Sequence, residues 1–240
     1  MSALLRRWAD DLFLHGHDLT HWITDYVDIE ESMAVGSMAQ EELAHGATLL
    51  EFAGDNHEQR DWRVYRRAVE EWTPSEPVAH RVRDWPVAVA RALLLTEATL
   101  TIVDHLAQST EPRFASALEV IRSEQELHAR HWHRWVKILH GEPTTADELR
   151  GALDDQAQRS ADFFGASPDG DDSDGLRELH GEWRRRVARA LKDVGITDVE
   201  LPGEPRPRRT RGPDDDLAEI LAGLRAVRTA NPDWNYEIHP

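Results

Sequence analysis

Two segments of the chain each pair a glutamate with a histidine at helical spacing. Glu42 and His45 are three residues apart in the first segment, and Glu124 and His128 are four residues apart in the second. Side chains at these spacings project from one face of a helix about one turn apart, so both members of a pair can reach one metal ion. A helical bundle that brings two such pairs together with carboxylates from two further helices can bind a di-iron centre.

A further carboxylate, Glu97, lies within an otherwise apolar run at residues 92–103. An ionised carboxylate without a partner is costly in such surroundings, so Glu97 requires a metal ion, a cationic side chain or protonation. Asp18, beside the apolar stripe of the first segment, is the candidate for the remaining carboxylate. The predicted metal ligands are Asp18, Glu42, His45, Glu97, Glu124 and His128. The alternatives are a structural ion pair with a buried His or Arg for Glu97 and structural hydrogen bonding for the histidines.

Helix-period patterns dominate the chain, and alternation typical of strands is nearly absent. The spacing predicts helices over about 5–26, 28–52, 85–108, 111–139, 176–193 and 217–229, another starting near 144, a shorter one over 57–72, and a loop over 167–175. The predicted fold class is all-α, a ferritin-like four-helix bundle with additional helices. Residues 1–200 are assigned to the bundle, and residues 201–240 to a Pro- and Arg-rich linker with a C-terminal helix and tail. Trp234 and Tyr236 are the expected anchors if that tail packs.

The composition excludes several classes of function. The formal net charge of −17 disfavours nonspecific nucleic-acid binding, which needs a basic surface. With no cysteine in the chain, disulfides and thiolate sites are excluded. No apolar run approaches the roughly 20 residues that span a bilayer, and the first residues lack a signal-peptide core, so no membrane association and a cytoplasmic location are expected. The acidity fits either a high-salt habitat or a generally acidic proteome.

At the segments that carry these residues, the chain resembles the ferritin-like subunits of bacterial phenylacetyl-CoA epoxidase, the ring-oxidising oxygenase of phenylacetate breakdown. Residues 40–46 resemble a metal-binding stretch of its catalytic subunit, Glu97 falls where that subunit has an acidic ligand, and His128 matches the histidine of its second Glu-x-x-His motif. Other stretches are more similar to the companion subunit, which shares the fold and is regarded as noncatalytic. These are residues 14–22, 48–55, 128–136, 217–221 and 231–234.

One residue departs from the catalytic pattern. Gln125 stands where the catalytic subunit has the glutamate of its second Glu-x-x-His motif. A neutral amide is a poor substitute for a bridging carboxylate on iron, although Glu124 could compensate through i,i+4 ligation with His128. The favoured interpretation is a structural partner subunit of the oxygenase. The alternative is a catalytic di-iron monooxygenase subunit acting on an aromatic acyl-CoA, so the expected cofactor is either di-iron or none.

The resemblance also implies partners. A related ferritin-like subunit is expected in a hetero-oligomer or homodimer, with a separate reductase and an aryl-acyl-CoA substrate. The arginine run 184–186 is interpreted as a solvated helix face, with electrostatic docking as the alternative.

Overall fold

The computed structural model describes residues 2–24, 28–107, 111–166, 173–208 and 216–232, and all its regular elements in these ranges are helical. The α-helices are α1 (Ser2–Leu19), α2 (Ile29–Phe52), α3 (His57–Asp61), α4 (Trp85–Leu106), α5 (Pro112–Gly141), α6 (Pro143–Arg159), α7 (Ser173–Asp193) and α8 (Asp216–Ala230). The all-α fold class is therefore confirmed. Asp28 begins α2 as predicted, because its side chain accepts a hydrogen bond from the backbone N–H of Glu31 at 2.7 Å.

Residues 57–72 do not form the one continuous helix that was predicted. Helix α3 ends at Asp61, a π-helical turn follows at Trp62–Arg66, and a short 3₁₀ turn lies at Val69–Glu71. Tertiary contacts of Arg67 explain the break, since its guanidinium binds Asp10 at 2.7 Å and lies 3.9 Å from the Trp72 ring centre. The predicted loop over 167–175 ends early because α7 begins at Ser173, and residues 167–172 lie outside the described ranges.

The long helices pack as two neighbouring pairs. Helix α1 runs along α2, α4 runs along α5, and α6 and α7 pack against α4. Helix α4 is buried almost throughout, including every residue from Ala88 to Val103. Among the described helices, it alone has the length and apolar composition of a membrane span. From the sequence, no apolar run of that length was expected. Because 89% of its apolar window is buried inside the fold, its composition is that of a core helix.

Two glycines allow α1 and α2 to approach closely. A Cβ atom at Gly16 would lie 2.9 Å from the Ala39 carbonyl oxygen and 3.1 Å from the Glu42 Cβ atom. A Cβ atom at Gly46 would lie 3.0 Å from the Phe13 ring. This contact between helix backbones places Glu42 directly against α1.

The first part of the predicted linker lies against the bundle. Residues 201–208 have no regular structure, yet Arg208 is only 2% exposed. Its guanidinium binds both carboxylate oxygens of Asp11, at 3.0 and 2.6 Å, and the carbonyl oxygens of Thr73 and Phe163, at 3.1 and 3.0 Å. The boundary at residue 201 stays a prediction, and Trp234 and Tyr236 lie outside the described residues.

Candidate functional site

Four of the six predicted ligands converge where α2 faces α5. Nε2 of His45 lies 2.6 Å from Oε2 of Glu124, and Nδ1 of His128 lies 3.1 Å from Oε1 of Glu42. Glu42, His45 and His128 are 2–3% exposed, whereas the Glu124 side chain is 35% exposed at the edge of the cluster. The two Glu/His pairs therefore share one interior, and each histidine contacts a carboxylate of the other helix.

Gln125 lies in the middle of this cluster and is fully buried. Its amide nitrogen donates to Oε1 of Glu42 at 2.9 Å and lies 3.2 Å from Nδ1 of His45. An amide group has two hydrogens, so it can donate to both acceptors if Nδ1 of His45 carries no proton. The His45 proton then resides on Nε2, which donates to Glu124. Gln125 thus acts as a hydrogen-bond donor where the resemblance implies a ligand.

His128 is held between two carboxylates of α2. Its Nε2 lies 2.6 Å from Oε2 of Glu41, so both ring nitrogens face carboxylate oxygens and both donate in the charged imidazolium form. Burial disfavours that charge, but the hydrogen bonds and charges of Glu42 and Glu41 outweigh it and raise the pKa of His128. Burial also opposes ionisation of Glu42, yet the hydrogen bond and charge of His128, aided by His15 and His45, lower the pKa of Glu42 to about 2. The pair is therefore a buried ion pair at neutral pH.

His15 of α1 completes the layer beneath Glu42. It is 1% exposed, and neither ring nitrogen has a hydrogen-bond partner in the part of the chain that the structure describes. Burial lowers the pKa of His15 to about 4, against the negative charge of Glu42 and with the help of Arg91. His15 is therefore neutral. In the sequence, His15 is spaced like the leucines and tryptophans of the apolar stripe of α1, so it is not among the predicted ligands.

The other two predicted ligands bind arginines instead of joining the cluster. Oε2 of Glu97 accepts a hydrogen bond from Nε of Arg186 at 3.0 Å, and the same guanidinium binds Asp104 at 3.0 Å. Asp18 forms a buried ion pair with Arg91. The structural ion pair considered for Glu97 is thus the contact observed. The interpretation of 184–186 as a solvated face is wrong for Arg186, whose side chain is 24% exposed and reaches inward from α7.

A further interhelical contact was not predicted. Glu31 of α2 binds Nε2 of His131 of α5 at 2.9 Å. Glu41 lies four residues before His45, the spacing of a contact along one helix, but it binds His128 across the helices. A single-helix pattern could not predict this, since the register between α2 and α5 decides which residues meet.

The residues present do not fit a di-iron centre. Such a centre takes a Glu-x-x-His pair from each of two helices and a glutamate from each of two others. Here an amide donates into the carboxylate of Glu42, both nitrogens of His128 donate to carboxylates, and a guanidinium binds Glu97. Among the described residues, no three His, Asp or Glu side chains are arranged to hold a metal ion. The ligand assignment from the sequence stays a prediction.

A comparison with protein-family models shows which family the chain belongs to. A family model described as "Phenylacetic acid catabolic protein" matches residues 1–235. The chain belongs to the phenylacetic acid catabolic protein family. The match spans α1 to α8 and confirms the resemblance to the phenylacetyl-CoA epoxidase family, and with it a role in phenylacetic acid catabolism. No curated protein matched the chain.

Proposed function

We propose that the chain is the structural partner subunit of a phenylacetyl-CoA epoxidase-type ring-oxidising oxygenase. The observation that carries this proposal is the hydrogen bond from the Gln125 amide to Glu42, at 2.9 Å in the buried centre of the cluster. A glutamate at this position would offer a lone pair to a metal ion, whereas the amide nitrogen offers a proton. The amide thus satisfies Oε1 of Glu42, whereas Oε2 of Glu42 and Oε1 of Gln125 are buried without a hydrogen-bond partner among the described residues.

The charges around the cluster support the same conclusion. Each deeply buried carboxylate of the predicted ligand set already has a cationic partner from the protein. The pairs are Glu42 with His128, Glu97 with Arg186 and Asp18 with Arg91. A divalent cation would have to displace these partners and leave other charges unpaired, and breaking a buried ion pair costs about 3–5 kcal/mol. In this role the chain works by holding a related ferritin-like subunit, which binds the aryl-acyl-CoA and receives electrons from the reductase.

The alternative is a catalytic di-iron subunit, favoured by the convergence of Glu42, His45, Glu124 and His128. In that case His45 would be a ligand, and its loss would abolish oxygenation. In the partner role, His45 only bridges Gln125 and Glu124.

The two roles are separated by assembling the chain with the catalytic-type subunit and the reductase. His45→Gln, which keeps a hydrogen-bonding side chain, is compared with His57→Gln at an exposed position of α3. Assembly is measured by size-exclusion chromatography, and turnover of phenylacetyl-CoA is expressed per assembled complex. We expect both variants to match the unmodified chain in turnover. Abolished turnover in an intact His45→Gln complex would reject the partner role.

A further inference from the structure

A cavity outside the Glu42 cluster lies where the end of α1 meets α8. Its volume is about 280 Å³, slightly below the ~300 Å³ at which pockets for drug-sized ligands begin. His17 and His21 line one side, Arg81 and Glu219 line another, and Ile220 of α8 contributes an apolar wall. The cavity can therefore hold a molecule smaller than a typical drug.

Two imidazole rings in this lining have no partner. The ring centres of His17 and His21 are 5.3 Å apart, and neither ring has a hydrogen-bond or ion-pair partner among the described residues. A neutral imidazole carries one N–H group, so the two rings offer two neighbouring donors. Gly223 lets α8 approach closely, since a Cβ atom there would lie 2.8 Å from Nε2 of His17.

Arg81 offers further donors to the same space. Its guanidinium has five N–H groups, and its side chain contacts the described part of the chain through one ion pair, from Nη1 to Oε1 of Glu219. The Arg81 side chain is 26% exposed and that of Glu219 is 63% exposed, so solvent weakens this pair. Glu219 can therefore share Arg81 with a second anion, or turn into solvent, at little cost.

The charges of the lining favour an oxyanion over a cation. Glu219 is paired with Arg81, and the other carboxylate of the lining, Asp18, forms a buried ion pair with Arg91. Both carboxylates therefore already have cationic partners, whereas the groups without a partner are N–H donors. An oxyanion can accept hydrogen bonds from several such donors at once, and charge-assisted bonds to a guanidinium are the strong ones. The apolar wall at Ile220 favours an organic anion over an inorganic one.

We propose that this cavity binds a small organic carboxylate with a short apolar body. The carboxylate accepts hydrogen bonds from Arg81, His17 and His21, and the apolar body packs against Ile220. The bound ligand connects the end of α1 to α8 and so strengthens the docking of the C-terminal helix. The site is independent of the role of the chain in the oxygenase, because it uses none of the residues of the Glu42 cluster.

The test is a titration of the full chain with benzoate at pH 7.5, followed through the imidazole proton signals in NMR spectra. Benzamide has nearly the same shape and no charge, and inorganic phosphate has the charge and no apolar body, so both are titrated for comparison. The variants are Arg81→Gln, His17→Ala and Glu219→Gln. Arg113→Gln is the matched control, because Arg113 is an ion-paired arginine whose side chain is 81% exposed. Circular dichroism establishes that each variant is folded, and hydrogen exchange of the α8 amides reports the link between the helices.

We expect benzoate to bind at one site with a Kd on the order of 1 mM, the range of a ligand with few atoms. Arg81→Gln should weaken binding by ~10–100-fold and His17→Ala by about 5-fold, because a hydrogen bond from a charged donor contributes more than one from a neutral donor. Glu219→Gln should tighten binding by up to ~5-fold, since Arg81 then has no competing carboxylate. Arg113→Gln should bind as the unmodified chain does, and benzoate should slow the exchange of the α8 amides.

The proposal is overturned if the unmodified chain does not bind benzoate, if benzamide or phosphate binds as tightly, or if Glu219→Gln weakens binding. If Arg81→Gln does not fold, Arg81→Lys takes its place, because lysine keeps the charge and lacks the bidentate fork. Unchanged binding in the folded Arg81 variant would equally overturn the proposal. Unchanged exchange of α8 with benzoate bound would reject the link between the helices.

Discussion

Replacing Gln125 with glutamate exchanges the buried amide at the centre of the cluster for a carboxyl group of nearly the same shape. In the unmodified chain, the amide nitrogen donates to Oε1 of Glu42 at 2.9 Å and lies 3.2 Å from Nδ1 of His45. An ionised carboxylate can donate to neither and would face the negative charge of Glu42 in a site closed to water. The introduced carboxyl group therefore takes up a proton, and its pKa in the folded protein is raised.

The size of the effect follows from the cost of that protonation. An ordinary glutamate has a pKa of about 4.3, so keeping it neutral at pH 7 costs about 4 kcal/mol, at 1.36 kcal/mol per pH unit. A neutral carboxyl group has one proton to donate instead of two, and the lost contact with His45 adds about 1 kcal/mol. We therefore expect Gln125→Glu to lower the free energy of unfolding by about 5 kcal/mol at pH 7 and by about 2 kcal/mol at pH 5.

The loss of stability in Gln125→Glu should grow as the pH rises. A group whose pKa is higher in the folded than in the unfolded state stabilises the fold most below its unfolded pKa, and this contribution is lost as the pH rises. The assay is urea unfolding followed by circular dichroism at both pH values, always as the difference from the unmodified chain. Gln40→Glu, at an exposed position of α2, is the matched control and should change stability by less than about 0.5 kcal/mol. Equal stability of Gln125→Glu and the unmodified chain at pH 7 would refute the hydrogen-bonded arrangement.

Three further substitutions test other buried groups by the same unfolding assay. His128→Leu leaves Glu42 without its cationic partner and should cost about 3–5 kcal/mol. His15→Leu removes a buried ring with no hydrogen-bond partner among the described residues, so it should be neutral or stabilising at pH 7. Between pH 6.5 and 4 the unmodified chain should lose about 3 kcal/mol of stability through His15, because the pKa of His15 is lowered to about 4 in the folded state and the unfolded chain binds the proton first. His15→Leu should not show this loss. Asp11→Ala leaves Arg208 buried and unpaired, and should cost about 3–5 kcal/mol.

Similar losses in His15→Leu and His128→Leu at pH 7 would contradict the assigned charge states, since only His128 is held as a cation between carboxylates. A small loss in Asp11→Ala would show that the segment before α8 is not anchored through Arg208.

Periodicity within the chain was sufficient to predict most helices. The helical spacing over residues 28–52 predicted the bounds of α2, and the spacing within each Glu/His pair predicted that its two members share one helix face. The break after α3 could not be predicted this way, because the contacts of Arg67 with Asp10 and Trp72 override the local helical pattern.

The partners of the buried carboxylates depend on contacts between distant segments. Glu97 and Arg186 are 89 residues apart, and Asp18 and Arg91 are 73 residues apart. The sequence showed that Glu97 needs a metal ion, a cationic side chain or protonation, but a metal ion and an arginine satisfy the same electrostatic requirement. Only the relative placement of α4 and α7 distinguishes them. For Gln125 the amide itself was visible in the sequence, whereas its hydrogen bond to Glu42 required the register between α2 and α5.

In the proposed partner role, protein cations and the Gln125 amide occupy the positions that iron would take in the bundle. The iron content of the folded chain, after anaerobic reconstitution with Fe²⁺ and desalting, tests this assignment. We expect iron far below one atom per chain. A content of about two iron atoms per chain, as a complete carboxylate- and histidine-bound pair requires, would contradict it.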